Sequence, residues 1–189
     1  MASCTRARSL SAVFGRLMEI RVELHVLDWR VRADPEATRL AHESMQCGGP
    51  ESCGCGYCRN FAAARQQTYP SQALDLFGRL GIRPNRESEI GTPMRMAEGR
   101  WLYTGWFHFV GEILDGPRLP PAVATVPAAG RVAGGTLYAL QYKSLVSGFE
   151  LAFSDEAHLV PETFRGQQVV QLEFATEVPW VLSEPEPAA

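Results

Sequence analysis

Apolar and polar residues alternate from Ile20 to Val31, with the period of two that is typical of a half-buried β-strand. Apolar side chains lie on one face of this stretch, and Arg21, Glu23 and His25 lie on the other. The pattern predicts a strand near the beginning of the ordered part of the chain.

Short helices are predicted to follow this strand. Asp34 is a typical N-cap residue and Pro35 suits the first helical position, so a first helix begins here and ends before a Gly-Gly-Pro sequence. A second helix is expected over 58–67 and a third over about 71–80, with Gly81 as its C-cap. The apolar stripes predicted for the first and third helices are Ala37, Leu40, Ala41 and Met45, and Ala73, Leu74, Phe77 and Leu80.

Strands dominate the second half of the chain. Residues 101–114 (WLYTGWFHFVGEIL) are rich in aromatic and β-branched side chains, as in a central strand or a hairpin bent at Gly105. Three further strands are expected over about 136–142, 147–153 and 168–176. A strand, then helices, then several strands without alternating helices predicts an α+β fold: a mainly antiparallel sheet with two or three short helices and a zinc knuckle.

The domain organisation follows from the segments between these elements. Residues 18–182 are predicted to form a single domain, in which 82–98 are irregular and 116–135 form a long Pro/Ala-rich surface loop. Residues 1–17 carry three arginines, three serines and no acid, which fits a disordered or over-extended N-terminal tail better than a transit peptide. Residues 183–189 are expected to be a disordered tail.

Composition excludes several classes of function. The chain has 189 residues, of which 46% are hydrophobic and 21% charged, so it can bury a core and is not wholly disordered. Its formal net charge is −3, so it has no basic excess that would neutralise nucleic-acid phosphates. No stretch approaches the roughly 20 apolar residues that a membrane-spanning helix needs. Neither a nucleic acid nor a membrane is therefore expected as a partner, and the sequence does not predict an oligomeric state.

Four of the five cysteines lie close together, at Cys47, Cys53, Cys55 and Cys58, whereas Cys4 stands apart. Four thiolates suit the tetrahedral coordination of zinc, and the glycines among them supply the tight turns of a knuckle. The sequence therefore predicts a closed Zn(Cys)4 site, although iron could occupy the same four ligands. Clustered thiols in a chain with a full core also indicate a reducing compartment, so a cytoplasmic location is expected.

Two alternatives to this ligand set remain open. Cys55-Gly-Tyr-Cys58 precedes a predicted helix, as in a thioredoxin-type redox site, but the segment before it is not a buried apolar strand. Two more cysteines beside the pair would also scramble thiol exchange. If one cysteine is not a ligand, His42 is the nearest substitute, although a polar residue on a helix face is the preferred interpretation.

Outside the cysteine cluster, His108 is the best single candidate for a binding or catalytic role. It shares a strand face with Glu112, but four residues of strand separate their Cα atoms by about 13 Å, too far for a direct acid–base pair. We expect a half-buried histidine that bonds to a backbone carbonyl. The polar residues Asp155, Glu156 and His158 form a predicted solvated turn, and the chain has no Gly-x-Ser-x-Gly, HExxH or Walker motif.

Three blocks of the chain carry a resemblance to a known family. They are the knuckle CGCGYCRNF at 53–61, the strand YTGWFHFVG at 103–111, and QLEF at 171–174 followed by PWVL at 179–182. In this combination the chain resembles an uncharacterised bacterial family of small proteins over residues 18–182. The resemblance implies a bacterial, cytoplasmic protein that starts naturally at Met18, and it implies no activity and no catalytic residues.

The function predicted from these features is that of a non-enzymatic cytoplasmic protein that binds zinc. It would act by binding another protein, for example as an immunity or accessory factor. The alternative is a thiol redox protein or a zinc-dependent enzyme that uses Cys55 and Cys58, or His108.

Overall fold

The computed structural model of the chain describes residues 21–91, 93–117 and 142–187. In this part, eight strands form one antiparallel sheet in the order β1-β2-β5-β8-β7-β6, and β3 and β4 pair with the first half of β5. The strands are β1 (Val22–Val26), β2 (Trp29–Ala33), β3 (Glu89–Ile90), β4 (Met94–Ala97), β5 (Arg100–Asp115), β6 (Lys143–Val146), β7 (Phe149–Ser154) and β8 (Val169–Pro179). The helices are α1 (Pro35–Ser44), α2 (Gly49–Cys53), α3 (Gly56–Thr68) and α4 (Ser71–Leu80), and a 3-10 turn covers Glu162–Phe164. The predicted α+β class with an antiparallel sheet is confirmed.

The strand predicted from Ile20 to Val31 is a hairpin in the structure. Val26 and Trp29 face each other across a two-residue turn, in which Leu27 has a φ of 53°. A two-residue turn requires positive φ at its centre, and leucine gives no sequence signal for that conformation. The prediction of one strand was wrong because the apolar pattern continues through the turn.

Strand β5 is the centre of the sheet and does not bend at Gly105. It pairs with β8 along one edge, and along the other edge with β4 and β3 and then with β2. A Cβ atom at Gly105 would lie 2.6 Å from Ile90 Cδ1 and 2.8 Å from Phe174 Cζ. The glycine therefore lets neighbouring side chains cross the strand closely, which is the physical reason for its presence in a regular strand.

The helices pack on the face of the sheet that carries the odd-numbered residues of β5. The rings of Phe61 in α3 and Tyr103 lie 5.4 Å apart, and those of Phe77 in α4 and Phe107 lie 4.9 Å apart. All four rings are fully buried. Burial of one such side chain stabilises a fold by about 1.5–3 kcal/mol, so this aromatic layer is the main apolar contribution that holds the helices on the sheet. None of the helices in the described residues is long and apolar enough to cross a bilayer.

The predicted helix ends agree with the structure better than the predicted apolar faces do. Asp34 Oδ1 accepts a hydrogen bond from the Ala37 N–H, and Gly81 ends α4 in the left-handed conformation, both as predicted. Leu40 and Leu74, however, are exposed, and Leu76 is buried in place of Leu74. The buried face of α4 therefore includes Ala73, Leu76, Phe77 and Leu80, and that of α1 includes Thr38, Ala41 and His42.

Several predicted segments fall wholly or partly outside the described residues. These are the tail at 1–17, the loop at 116–135 from residue 118 onward, and the strand at 136–142 up to residue 141. The segment predicted to be irregular, 82–98, contains β3 and β4, so that prediction was wrong. Both strands are too short and polar to produce a periodic signal.

His42 is a buried anchor between α1 and β5. Its Nε2–H donates to the backbone carbonyl of His108 at 2.9 Å, and its Nδ1 accepts from the Arg83 N–H at 3.1 Å. Burial lowers the pKa of His42 to about 4, so the ring is neutral at physiological pH. His42 is a polar residue on a face of α1, as interpreted, and the structure adds that this face is buried.

A second buried anchor joins α3 to the segment before β3. The carboxylate of Glu87 is fully buried and accepts two hydrogen bonds from the Arg65 guanidinium, at 2.8 and 3.0 Å, and one from the Tyr69 hydroxyl at 2.8 Å. Burial raises the pKa of Glu87, and these three donors oppose the rise. Arg65 also pairs with Glu51 of α2 at 2.6 Å, so the network holds α2, α3 and the loop together.

We expect the Glu87→Gln variant to lower the free energy of unfolding by about 3 kcal/mol, since it removes the fully buried one of the two carboxylates that pair with Arg65 and leaves only the partly exposed Glu51. The Tyr69→Phe variant, which removes one hydrogen bond, should cost about 1 kcal/mol. Urea unfolding of both variants and the wild type measures the difference. If Glu87→Gln lowers the free energy of unfolding no more than Tyr69→Phe does, the ion pair contributes no more than a neutral hydrogen bond.

Candidate metal centre

Three cysteines meet at the corner between α2 and α3. Cys53 is the last residue of α2, Cys55 is the N-cap of α3, and Cys58 lies in the first turn of α3. Gly54 between them has a φ of 69° and ends α2 in the left-handed conformation. This reversal, which glycine adopts without strain, allows two cysteines only two positions apart to direct their sulfurs to one point.

The three sulfur atoms all lie within 4.8 Å of one another. In a tetrahedral zinc–thiolate site with Zn–S bonds of about 2.3 Å, the sulfurs are roughly 3.8 Å apart. A contraction of about 1 Å or less therefore brings the three sulfurs to that spacing, within the range of side-chain rotation. Cys53 and Cys55 are exposed and Cys58 is 5% exposed, so the group can hold a metal ion that enters from solvent.

The surroundings of Cys55 and Cys58 shift the pKa values of their thiols in opposite directions. Burial raises the pKa of Cys55, but hydrogen bonds from the Cys58 backbone N–H and from the thiols of Cys53 and Cys58 outweigh it, and the pKa is lowered. Burial raises the pKa of Cys58 strongly, and its hydrogen bonds to Cys53 and Cys55 raise it further. The first negative charge therefore develops on Cys55, where the start of α3 stabilises a thiolate.

The backbone under the cluster is held by the buried side chain of Asn60. Its Nδ2 donates to the carbonyl of Pro179 at 3.0 Å, and its Oδ1 accepts from the Val181 N–H at 2.7 Å. The hydroxyl of Tyr103 donates to the carbonyl of Tyr57 at 3.2 Å. The first turn of α3 is thus fixed to the sheet and to the segment that follows β8.

That C-terminal segment also bonds to α3 next to the cluster, through Arg59. Glu184 accepts two hydrogen bonds from the guanidinium of Arg59, at 2.7 and 2.5 Å, and its carbonyl accepts from the Trp180 indole N–H at 2.8 Å. Arg59 contributes a positive charge close enough to interact with Cys55. The disordered tail expected at 183–189 stays a prediction, and within its described part Glu184 and Glu186 both form ion pairs.

The fourth predicted ligand is not part of the group. Cys47 is half-buried in the turn between α1 and α2, and its sulfur is not among the three that lie together. Its role as a ligand stays a prediction. His42, the predicted substitute, bonds with both ring nitrogens to backbone groups, as described above.

His108 lies elsewhere, on the sheet. It is fully buried rather than half-buried, and its Nδ1 contacts the Ser88 hydroxyl at 2.8 Å. The expectation of half burial was therefore wrong, whereas a backbone hydrogen bond, with His158, does raise its pKa against the larger effect of burial. Glu112 pairs with Arg32 at 2.8 Å, and Asp155, Glu156 and His158 are exposed, as expected for a solvated turn.

Sequence reasoning missed the residues that support the cluster. Asn60 and Glu184 do not ligate a metal, and each bonds to a residue more than a hundred positions away. The only available signal was an asparagine two residues after the last cysteine, on the face of α3 that points to the core.

Comparison of the chain with protein-family models, curated proteins and solved structures found no match.

We expect the metal-free protein to react with iodoacetamide at Cys55 at least about tenfold faster than at Cys58, because Cys55 is exposed and has the lower pKa. Mass spectrometry of peptides after timed quenching measures both rates. In the urea-unfolded protein, which serves as the control, the two rates should converge. Equal rates in the folded protein would contradict the described arrangement of the helix start.

Proposed function

We propose that Cys53, Cys55 and Cys58 bind zinc, that the ion has a structural role, and that the protein acts in the cytoplasm by binding another protein. The observation that carries the metal assignment is the group of three sulfurs within 4.8 Å of one another. The ion would join the end of α2 to the start of α3 and stabilise the corner between them. Short helices are only marginally stable on their own, so a metal that links α2 to α3 would stabilise both at this corner.

Zinc is proposed because three thiolates form a soft ligand set, and zinc accepts it in tetrahedral geometry without redox chemistry. Three protein ligands leave one coordination position. Cys47, at the other end of the five-residue helix α2, is the proposed fourth ligand. A bound water molecule is the alternative, and the number of thiols that the metal protects separates the two.

We expect purified protein to contain about one zinc ion per chain by elemental analysis, because three thiolates and one further ligand complete a tetrahedral site. Four cysteines should be protected from a thiol reagent until a chelator removes the metal. Cys58→Ser should abolish metal retention, whereas Cys4→Ser, outside the knuckle, is the matched control and should retain it. Removal of the metal should also lower the melting temperature, since metal binding is coupled to folding.

The outcomes of this experiment separate the hypotheses. Protection of only three cysteines would assign the fourth position to water and remove Cys47 from the ligand set. Metal-free protein with four reactive cysteines, prepared without chelators and supplied with excess zinc, would overturn the proposal.

A second candidate function is favoured by one observation. Cys55 is an exposed helix N-cap and Cys58 is buried one turn further on, as in dithiol redox sites. Oxidation of this pair would form a Cys55–Cys58 disulfide, with two protons and two electrons passing to an acceptor disulfide. Metal-free protein in which two thiols oxidise reversibly, while the fold is kept, would favour this function over the structural zinc site.

The surface that supports a protein partner is strand β4. All four of its residues are exposed, and in the part of the chain that the structure describes it pairs with β5 alone. Met94 and Met96 are 58% and 51% exposed on one side of the strand. Flexible methionines suit an adaptable contact, and an open strand edge can accept a further strand from a partner.

We expect a Met94→Asp/Met96→Asp double variant to lose the proteins that the tagged wild type captures from lysate, because charges replace the apolar contact. Leu74→Asp is the matched control: Leu74 is also an exposed apolar residue, 42% exposed, but lies on α4. Quantitative mass spectrometry compares the three captures. Two results would contradict a partner at β4: the variant captures the same proteins as the wild type, or the wild type captures none.

A further inference from the structure

Residues 183–187 (SEPEP), called here the acidic strap, follow β8 without regular secondary structure. The chain just before them is fixed through its backbone. The Trp180 N–H donates to the Gly99 carbonyl at 2.9 Å, and the Val181 N–H donates to Asn60 Oδ1 at 2.7 Å. Among the described residues, the hydrogen bonds and ion pairs that fix the acidic strap itself all involve a side chain.

The two glutamates of the strap reach arginines on two different elements. Glu184 accepts two hydrogen bonds from Arg59 of α3, at 2.7 and 2.5 Å, and Glu186 Oε2 lies 3.2 Å from Arg95 Nη2 of β4. Within the ranges that the structure describes, each of these arginines pairs with no other acid. Two residues of extended chain span at most about 7 Å. Arg59 and Arg95, called here the arginine pair, are therefore close enough for one short acidic segment to neutralise both.

Aromatic rings lie beside the arginine pair. The guanidinium of Arg95 is 5.9 Å from the centroid of the Trp101 ring, which is buried. The ring of Tyr57, in the first turn of α3, lies 5.2 Å from that of Trp101 and 6.3 Å from that of Trp180. A guanidinium that contacts an aromatic ring is oriented by it and keeps its N–H donors for a carboxylate. The patch thus combines ordered positive charge with an apolar platform.

The acidic strap is held weakly on this patch. The side chains of Arg59 and Glu184 are 47% and 55% exposed, and ion pairs as exposed as this contribute little to stability. In the described part of the chain, Glu186 Oε2 is buried and makes no hydrogen bond, although it pairs with Arg95. A buried carboxylate oxygen without a hydrogen bond is unfavourable, whereas a carboxylate that bonds to arginine in bidentate geometry is strongly bound. An acidic segment that fits Arg95 better can therefore displace the strap.

We propose that the arginine pair is the docking site for an extended segment of the partner protein that carries two acidic side chains two positions apart. The acidic strap occupies this site until the partner displaces it. The inference rests on the proposed role in binding another protein and adds the chemistry of the partner. Arg95 lies between Met94 and Met96 on β4, the strand proposed for that contact. The chain as a whole has a net charge of −3, so an acidic partner is attracted by this patch and not by the overall charge.

A fluorescein-labelled peptide of residues 180–187 (WVLSEPEP) tests the site, with fluorescence anisotropy as the measurement. Wild-type protein should bind the peptide weakly, because its own tethered strap competes at an effective concentration in about the millimolar range. The Glu184→Gln/Glu186→Gln variant, whose strap no longer pairs with the arginines, should bind it at least about tenfold more tightly. A peptide in which both glutamates are replaced by glutamine should bind that variant at least about tenfold more weakly.

Addition of Arg59→Gln and Arg95→Gln to the strap variant should abolish binding of the acidic peptide. Addition of Arg79→Gln and Arg165→Gln is the matched control, since it removes the same charge from exposed arginines on α4 and at the 3-10 turn, and it should leave binding unchanged. The comparison of the two peptides on the strap variant decides even if the arginine variants fail to fold.

Three results would overturn the proposal. Absence of binding by the strap variant up to about 1 mM peptide would show that the strap is only a fixed part of the fold. Equal binding of the acidic and glutamine peptides would show that charge does not select the occupant. A wild-type dimer that Glu184→Gln/Glu186→Gln converts to a monomer would assign the site to the strap of a second copy. The zinc content and the capture at β4 are measured independently, so these results leave the proposed function standing.

Discussion

The pairing of β5 with β8 is the interaction on which the other features depend. It runs without a register shift from Arg100 to Val110, along the length of the sheet. An uninterrupted antiparallel register fixes which side chains share a face, because a slip of one residue would exchange the two faces. On one face it aligns Phe107 with the rings of the helices, and on the other it sets Trp106 opposite Glu173. The aromatic core on one face and the polar side chains on the other are thus two results of one register.

Buried polar side chains fix the positions of helices that are too short to be held by apolar packing alone. Helices of five to thirteen residues present few apolar side chains each, and α1 buries more polar than apolar ones. His42, Asn60 and Glu87 each bond to backbone or side-chain groups of a distant segment, so each fixes one helix or loop in position. A satisfied buried network adds little net stability but penalises every other arrangement. The anchors therefore specify where the helices lie, while the buried aromatic layer contributes apolar burial between the helices and the sheet.

The features that the sequence predicts well are those with a local physical cause. Asp34 caps a helix through a bond to a residue three positions away, and the aromatic run of β5 shows its burial in its own composition. Cysteine spacing predicts that Cys53, Cys55 and Cys58 meet, since a glycine turn and one helical turn suffice. Leucine gives no signal for the positive φ of the turn at Leu27, and the surroundings of His108 depend on residues distant in sequence, so no local pattern predicts either. The fold class and three of the proposed ligands were accessible from the sequence, whereas the supports of the site were not.

Asn60 and Tyr103 fix the backbone that carries the cysteine cluster, and this affects the protonation of its thiols. Because the start of α3 is bonded to the sheet, the backbone fixes Cys55 and Cys58 beside Cys53, and protons on the three sulfurs relieve their mutual repulsion. The lowered pKa of Cys55 and the raised pKa of Cys58 describe this state, in which one thiolate is stabilised by the thiols beside it. A cation that enters the group replaces those protons, so its affinity must rise with pH. A metal cross-link at this corner adds to the hydrogen bonds of Asn60 and Tyr103, so it affects the stability of the corner as well as the protonation of its thiols.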